Sequence, residues 1–139
     1  MFLRYGKGVF NSYSSMITAT TYGLTHLSMT VRDLNRTLNF YREVFDMQLM
    51  YRDENFIQLN TPGSHDAFVF VENKDYQIGN TGGINHFGFR LRDPKDMEEI
   101  TNKVMAAGGT ITDQGEFAPG FPKLFFRDPD GYEVEVWYE

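Results

Sequence analysis

The chain of 139 residues contains no cysteine. Disulfides, thiolate metal sites and cysteine nucleophiles are therefore excluded, and the redox compartment is left open. Positive charge is scarce: 13 Lys and Arg against 19 Asp and Glu leave a formal charge of −6. No basic stripe exists for a nucleic-acid backbone or an anionic membrane, so neither is an expected partner. No apolar run approaches the roughly 20 residues of a membrane span, and nothing near the N-terminus reads as a secretory signal. Cytoplasmic location is the default expectation. A phosphate-cradling glycine loop is missing too, because the glycines of "GNTGG" precede a strand rather than a helix. What is plentiful is aromatic: 13 Phe, 8 Tyr and one Trp, which must line a core, an interface or a pocket. With 41% hydrophobic and 23% charged residues, the composition is that of one ordinary globular domain.

The chain says the same thing twice. "YGLTHLSMTVRD" at 22–33 and "GGINHFGFRLRD" at 82–93 align Gly23 with Gly83, His26 with His86, Arg32 with Arg92 and Asp33 with Asp93. Each begins with period-two alternation, which predicts strands with one apolar and one mixed face. Leu27, Met29 and Val31 share a face in the first, Phe87, Phe89 and Leu91 in the second, and both histidines fall on the mixed face. A helix follows each strand. Asp33 can cap the first, with Leu34, Leu38, Tyr41 and Phe45 at helical spacing. Asp93 can cap the second, Pro94 suits its first position, Met97, Ile100 and Val104 form its stripe, and Gly108-Gly109 ends it. Further strands are expected in "NFIQLN", "DAFVFVE", "TITDQG", "KLFFR" and "YEVEVWY", with "RDPDGY" as a turn. The order β-α-β-β-β, twice, gives an α+β fold of two modules, 22–80 and 81–139, with helices covering one side of the sheets. Residues 1–21 read as an N-terminal extension: a terminal strand, a disordered tail, or sequence ahead of a start at Met16.

In "YEVEVWYE", Val134 and Val136 belong under a helix, so Glu133 and Glu135 point to the histidine side. Two imidazoles and a carboxylate at one place would suit one divalent ion: Fe, Mn, Ni or Zn. Glu133 reads as a solvated neighbour. His65, in the turn-like "TPGSHD", more simply has no role. Gln58, Arg90 and Phe125 are expected to line a pocket, and so are Phe68 and Phe70, because their parity opposes Ala67, Val69 and Val71. The segment "EFAPGFPK" is either a lid or a plain connection.

A βαβββ module used twice, opening on a strand histidine and closing with "FFRDPDGYEVE", resembles the vicinal oxygen chelate superfamily of glyoxalase I, bleomycin-resistance proteins, fosfomycin-resistance transferases and extradiol dioxygenases. The resemblance covers roughly residues 23–138. It implies a curled mixed sheet around a cleft with helices outside, and places the metal ligands on His26, His86 and Glu135. It also implies a homodimer, and relatives assemble the cleft either within one chain or across two. The extra glutamate of glyoxalase I falls best on Phe70, or on Phe68 if the register slips, so a fourth ligand is absent and poor glyoxalase activity is expected. The tyrosine expected before the turn is Phe125. Two functions stand: a metal-dependent enzyme acting on a small oxygenated substrate, or a binding protein of the bleomycin-resistance kind.

Overall fold

The computed structural model describes residues 19–139, so the expectation for the N-terminal extension lies mostly outside the described residues. The first module runs β1 (His26–Val31), α1 (Leu34–Phe45), β2 (Gln48–Arg52), β3 (Phe56–Asn60) and β4 (Ala67–Glu72). The second runs β5 (Phe87–Arg90), a 3₁₀ turn (Pro94–Asp96), α2 (Met97–Ala106), β6 (Thr110–Ala118), β7 (Phe121–Arg127) and β8 (Glu133–Trp137). Each forms a four-stranded mixed sheet, in the orders β1-β4-β3-β2 and β5-β8-β7-β6. The α+β fold of two modules is as the repeat predicts. β2 is the strand that the βαβββ order requires but that no segment was assigned to: all five of its residues are exposed and a register shift interrupts its pairing with β3, so alternation does not mark it.

Asp33 caps α1 as expected, whereas Asp93 caps the 3₁₀ turn that leads into α2, whose own N-cap residue Asp96 makes no side-chain cap bond. The Asp33 carboxylate accepts the Arg36 N–H at 3.0 Å, and the Asp93 carboxylate accepts that of Lys95 at 2.9 Å. α1 buries Leu34, Leu38, Phe40, Tyr41 and Val44. α2 buries Val104 alone, so the second helix contributes less to the core. Gly109 follows it at close quarters, where a Cβ would meet Val104 Cγ1 at 2.7 Å.

One core serves both modules. Phe40 and Phe45 of α1 pack on Phe126 of the second sheet, and Phe45 stacks on Phe89 with centroids 3.9 Å apart. Phe68 of the first sheet stacks on Phe89 as well, at 5.4 Å. Each sheet thus commits one face to the shared core and leaves the other open.

The turn 127–132 does more than reverse the chain. Asp128 and Asp130 are buried, at 5% and 1% exposure, and both reach the first module. Tyr41 donates its hydroxyl to Asp128 Oδ2 at 2.7 Å, while Asp130 Oδ1 accepts the Arg32 N–H and Arg36 Nη2, each at 2.9 Å. Tyr132 donates to the Thr30 carbonyl at 2.8 Å. Gly131, at φ +86°, lies where a Cβ would sit 2.8 Å from the Gly79 nitrogen, so glycine is required by conformation and by space. Burial pushes Asp128 up to about 6, against the hydrogen bonds from Tyr41 and Tyr132, with Asp130 adding to the rise.

Candidate metal centre

The open face of the second sheet assembles from strand parity. Val134 and Val136 of β8 are fully buried, which turns Glu133, Glu135 and Trp137 to the other side. On β5 the same alternation puts Gly88, Arg90 and the preceding His86 beside them, and β7 adds Lys123 and Phe125 through the pairs Lys123–Trp137 and Phe125–Glu135. Gly88 lies under Glu135 and Trp137: a Cβ there would approach the Glu135 carbonyl and Trp137 Cζ3 at 2.8 Å each. Its lack of a side chain lets the indole lie close to the strand.

His86 Nε2 stands 3.2 Å from Glu135 Oε2, and Phe125 meets the imidazole edge to face at 5.3 Å. The Glu135 side chain is 2% exposed, and its Oε1 is buried with no hydrogen-bond partner among the described residues. Burial raises the Glu135 pKa, opposed by His86 and Lys123. A buried carboxylate with one orphaned oxygen, next to an imidazole nitrogen, is a donor pair that a divalent cation would satisfy on both counts.

His26 does not join them within the chain. It is exposed on β1, paired with Ala67, on the open face of the first sheet beside Ser28 and Thr30. Among the described residues no group of three or more His, Cys, Asp or Glu side chains could hold a metal ion. The sequence left open whether one chain or two would assemble the centre, and within the described residues of one chain His26 stays apart from His86 and Glu135. The reason is the shared core, because each open face is the one its sheet does not commit to that core.

Phe68 and Phe70 also need correction as pocket residues. They are 9% and 0% exposed and pack under α1, with the Phe70 and Tyr41 centroids 5.0 Å apart. β4 is apolar on both faces, so polarity gave no guide to its parity. The open side carries Ala67, Val69 and Val71, paired with His26, Ser28 and Thr30. Because Ser28–Val69 matches Gly88–Glu135, the counterpart of Glu135 is Val69 rather than Phe70. The register slipped by one, yet the position still holds no carboxylate. Gln58 lies on this face, paired with Val69. Arg90 is exposed and donates to the carbonyl of Glu139. Glu133 accepts a 3.4 Å bond from Thr112, and His65 stacks on Tyr22 at 4.0 Å, away from the centre. The segment 116–123 is the tip of the β6–β7 hairpin, with Gly120 at φ +85°, and not a loop.

Lys123 was missed. Its Nζ is 2.8 Å from Asp113 Oδ2 and lies over the rings of Phe117 and Phe125, at 5.3 and 5.8 Å. The lysine of "PKLFFR" shares strand parity with Phe125, which could have revealed it.

A superfold of two such modules with a histidine–glutamate pair on one open face has known relatives. The model of the Glyoxalase/Bleomycin resistance protein/Dioxygenase superfamily matches residues 23–136, and the chain belongs to that superfamily. It is 30% identical over 122 residues to lactoylglutathione lyase GLX1 of Arabidopsis thaliana, covering 80% of this chain and 42% of the plant protein. It is 22% identical over 125 residues to the manganese-dependent 2,3-dihydroxybiphenyl 1,2-dioxygenase of Geobacillus genomosp. 3, covering 88% of this chain and 38% of that enzyme. The chain thus spans about two fifths of either relative. A glyoxalase/bleomycin resistance protein/dioxygenase domain from Frankia sp. EAN1pec superposes with a TM-score of 0.71 at 25% identity, covering 86% of this chain and 98% of the other. Among the described residues, no helix is long and apolar enough to cross a membrane.

Proposed function

We propose that this protein is a metal-dependent member of its superfamily that binds a small oxygenated substrate at a two-histidine, one-carboxylate centre completed across a homodimer. The observation that carries the reading is Glu135, buried with an orphaned oxygen and held against His86. His26 occupies the equivalent place to His86 on the other open face. A second copy supplies that histidine where the chain's own cannot reach. Two further features support pairing: the edges of β2 and β6, which pair with no further strand among the described residues, and the exposed Leu49, Met50 and Tyr51 along β2.

A divalent ion in such a centre supplies Lewis acidity toward two neighbouring substrate oxygens, or a place for oxygen chemistry. The chain's own contributions are definable. Glu135 brings the negative charge, Phe125 fixes the His86 ring from one side, and Gly88 with Trp137 forms a flat floor. No general base sits at Val69, where a carboxylate would have been available for proton transfer.

The test mixes two variants, His26→Ala and Glu135→Ala. Neither homodimer retains a complete ligand set. In a mixed dimer one of the two sites regains all three ligands, provided the site spans the chains. Random subunit exchange should then restore about a quarter of the wild-type metal, read by elemental analysis. A wild-type protein that takes up no ion ends the metal reading. Metal in the wild type without recovery in the mixture places the ligands within one chain. The aromatic face around Phe125 and Trp137 favours one other reading, a metal-free binder of aromatic molecules, and the first of those outcomes would support it.

A further inference from the structure

The ammonium of Lys123 has a more specific task on this face. We infer that Lys123, between Phe117 and Phe125 and beside Trp137, forms a subsite for the carboxylate of a small aromatic acid. As a substrate subsite it rests on the metal-centre reading above, but the binding it describes does not require the ion.

Four observations carry it. The Lys123 side chain is only 24% exposed, so its charge is partly desolvated and interacts strongly with whatever faces it. Two aromatic rings, Phe117 and Phe125, lie 5.3 and 5.8 Å from Nζ and hold the ammonium in place, and Phe125 sets an aromatic wall between it and His86. Its one ion-pair partner among the described residues, Asp113, is 55% exposed at the sheet rim, so it can turn to water when a ligand carboxylate arrives. The fourth is the repeat itself. Lys123 pairs with Trp137 as Phe56 pairs with Val71, and the first sheet has no cation at that place. The fold therefore does not require a lysine there. The nearby Arg90 donates to the Glu139 main-chain oxygen, whereas the Lys123 ammonium is held by an exposed carboxylate that water can replace.

Benzoate and its neutral isostere benzamide are the probes, titrated on metal-free and on Mn(II)-loaded full-length protein. Trp137 is the sole tryptophan and the strand partner of Lys123, so its fluorescence reports the subsite directly. Benzoate should bind at least about tenfold more tightly than benzamide. Lys123→Met should abolish that preference, Lys123→Arg should keep it, and Asp113→Ala should tighten benzoate by removing its competitor. Equal binding of the two probes, no binding of either, or benzoate affinity unchanged in Lys123→Met overturns the inference. So does weaker benzoate binding in Asp113→Ala, a variant that decides the matter even if Lys123→Met fails to fold. Mn(II) uptake is measured separately by its spin resonance. Benzoate preference without Mn(II) uptake sinks the metal centre and leaves the subsite standing, and the reverse result does the opposite.

Discussion

The two open faces share one strand layout and differ in what it carries. His26, Ser28 and Val69 on the first sheet match His86, Gly88 and Glu135 on the second, and Gln58 matches Phe125. The first face keeps the histidine and is otherwise neutral. The second has added a buried carboxylate, a cation at Lys123 and the space at Gly88 that brings an indole close. Duplication preserved the packing of both modules because both feed one core. It left the open faces unconstrained by that core, and they diverged into a charged half and a neutral half. A centre needing both histidines then joins unlike faces, which two copies of the chain can provide in a symmetric pair.

Removing the charged half should have the largest effect. Glu135→Ala or His86→Ala takes away one of the three proposed ligands, and metal affinity should fall at least about 100-fold, read by competition with a chelator of known affinity. Thermal stability of the metal-free protein should be unchanged or higher in Glu135→Ala, since a buried carboxylate with an orphaned oxygen costs stability without its ion. Retained affinity in either variant would remove these residues from the centre.

The next test loosens the joint that fixes one face relative to the other. Asp128 titrates at about 6 in the folded protein against 3.8 for the ordinary side chain, so between those values the folded state holds the proton more tightly. Its contribution to stability is complete below about pH 4 and is lost as the pH rises through about 6, by up to about 3 kcal/mol. Asp128→Asn removes that titration, and its unfolding free energy in urea should be flatter across this window than that of the wild type. Parallel curves for the two proteins would refute the assignment.

Much of this architecture was legible because local chemistry and periodicity agreed. Asp33 and Asp93 cap a helix and a 3₁₀ turn, Met29, Val31, Val134 and Val136 alternate into the core, and Leu27 packs against it. β8 could be read because its glutamates and valines differ in polarity. β4 could not, because "AFVFV" is apolar on both sides, and only the pairing with β1 shows which face Phe70 takes. Asp128 and Asp130 looked like turn residues; their burial depends on Tyr41, Arg32 and Arg36, almost a hundred residues away in sequence. The separation of His26 from Glu135 was invisible for a related reason. Parity tells which side of a sheet a residue takes, and says nothing of how two sheets face one another.

The smallest expected effect sharpens the comparison by making the faces more alike. Val69→Glu places a carboxylate where the first sheet matches Glu135, one strand from His26 and next to Gln58. Val69 is half-buried on the open face rather than in the core, so the substitution should cost little stability, of order 0.5 kcal/mol. If His26 meets the Glu135 of a second copy, the new carboxylate arrives at the same centre with it and adds a fourth donor. Metal affinity should rise about tenfold, a change of about 1.4 kcal/mol, measured by the same chelator competition. The added carboxylate should also supply the proton acceptor that the native face lacks, so a lyase substrate such as the methylglyoxal–glutathione adduct should turn over faster in the variant than in the wild type. The control is Val71→Glu, one pair further along the same face and 39% exposed already, where the charge stays in water. Equal metal affinities for Val69→Glu, Val71→Glu and the wild type would mean that the first sheet's open face does not look onto the metal at all, and the cross-chain centre would go with it.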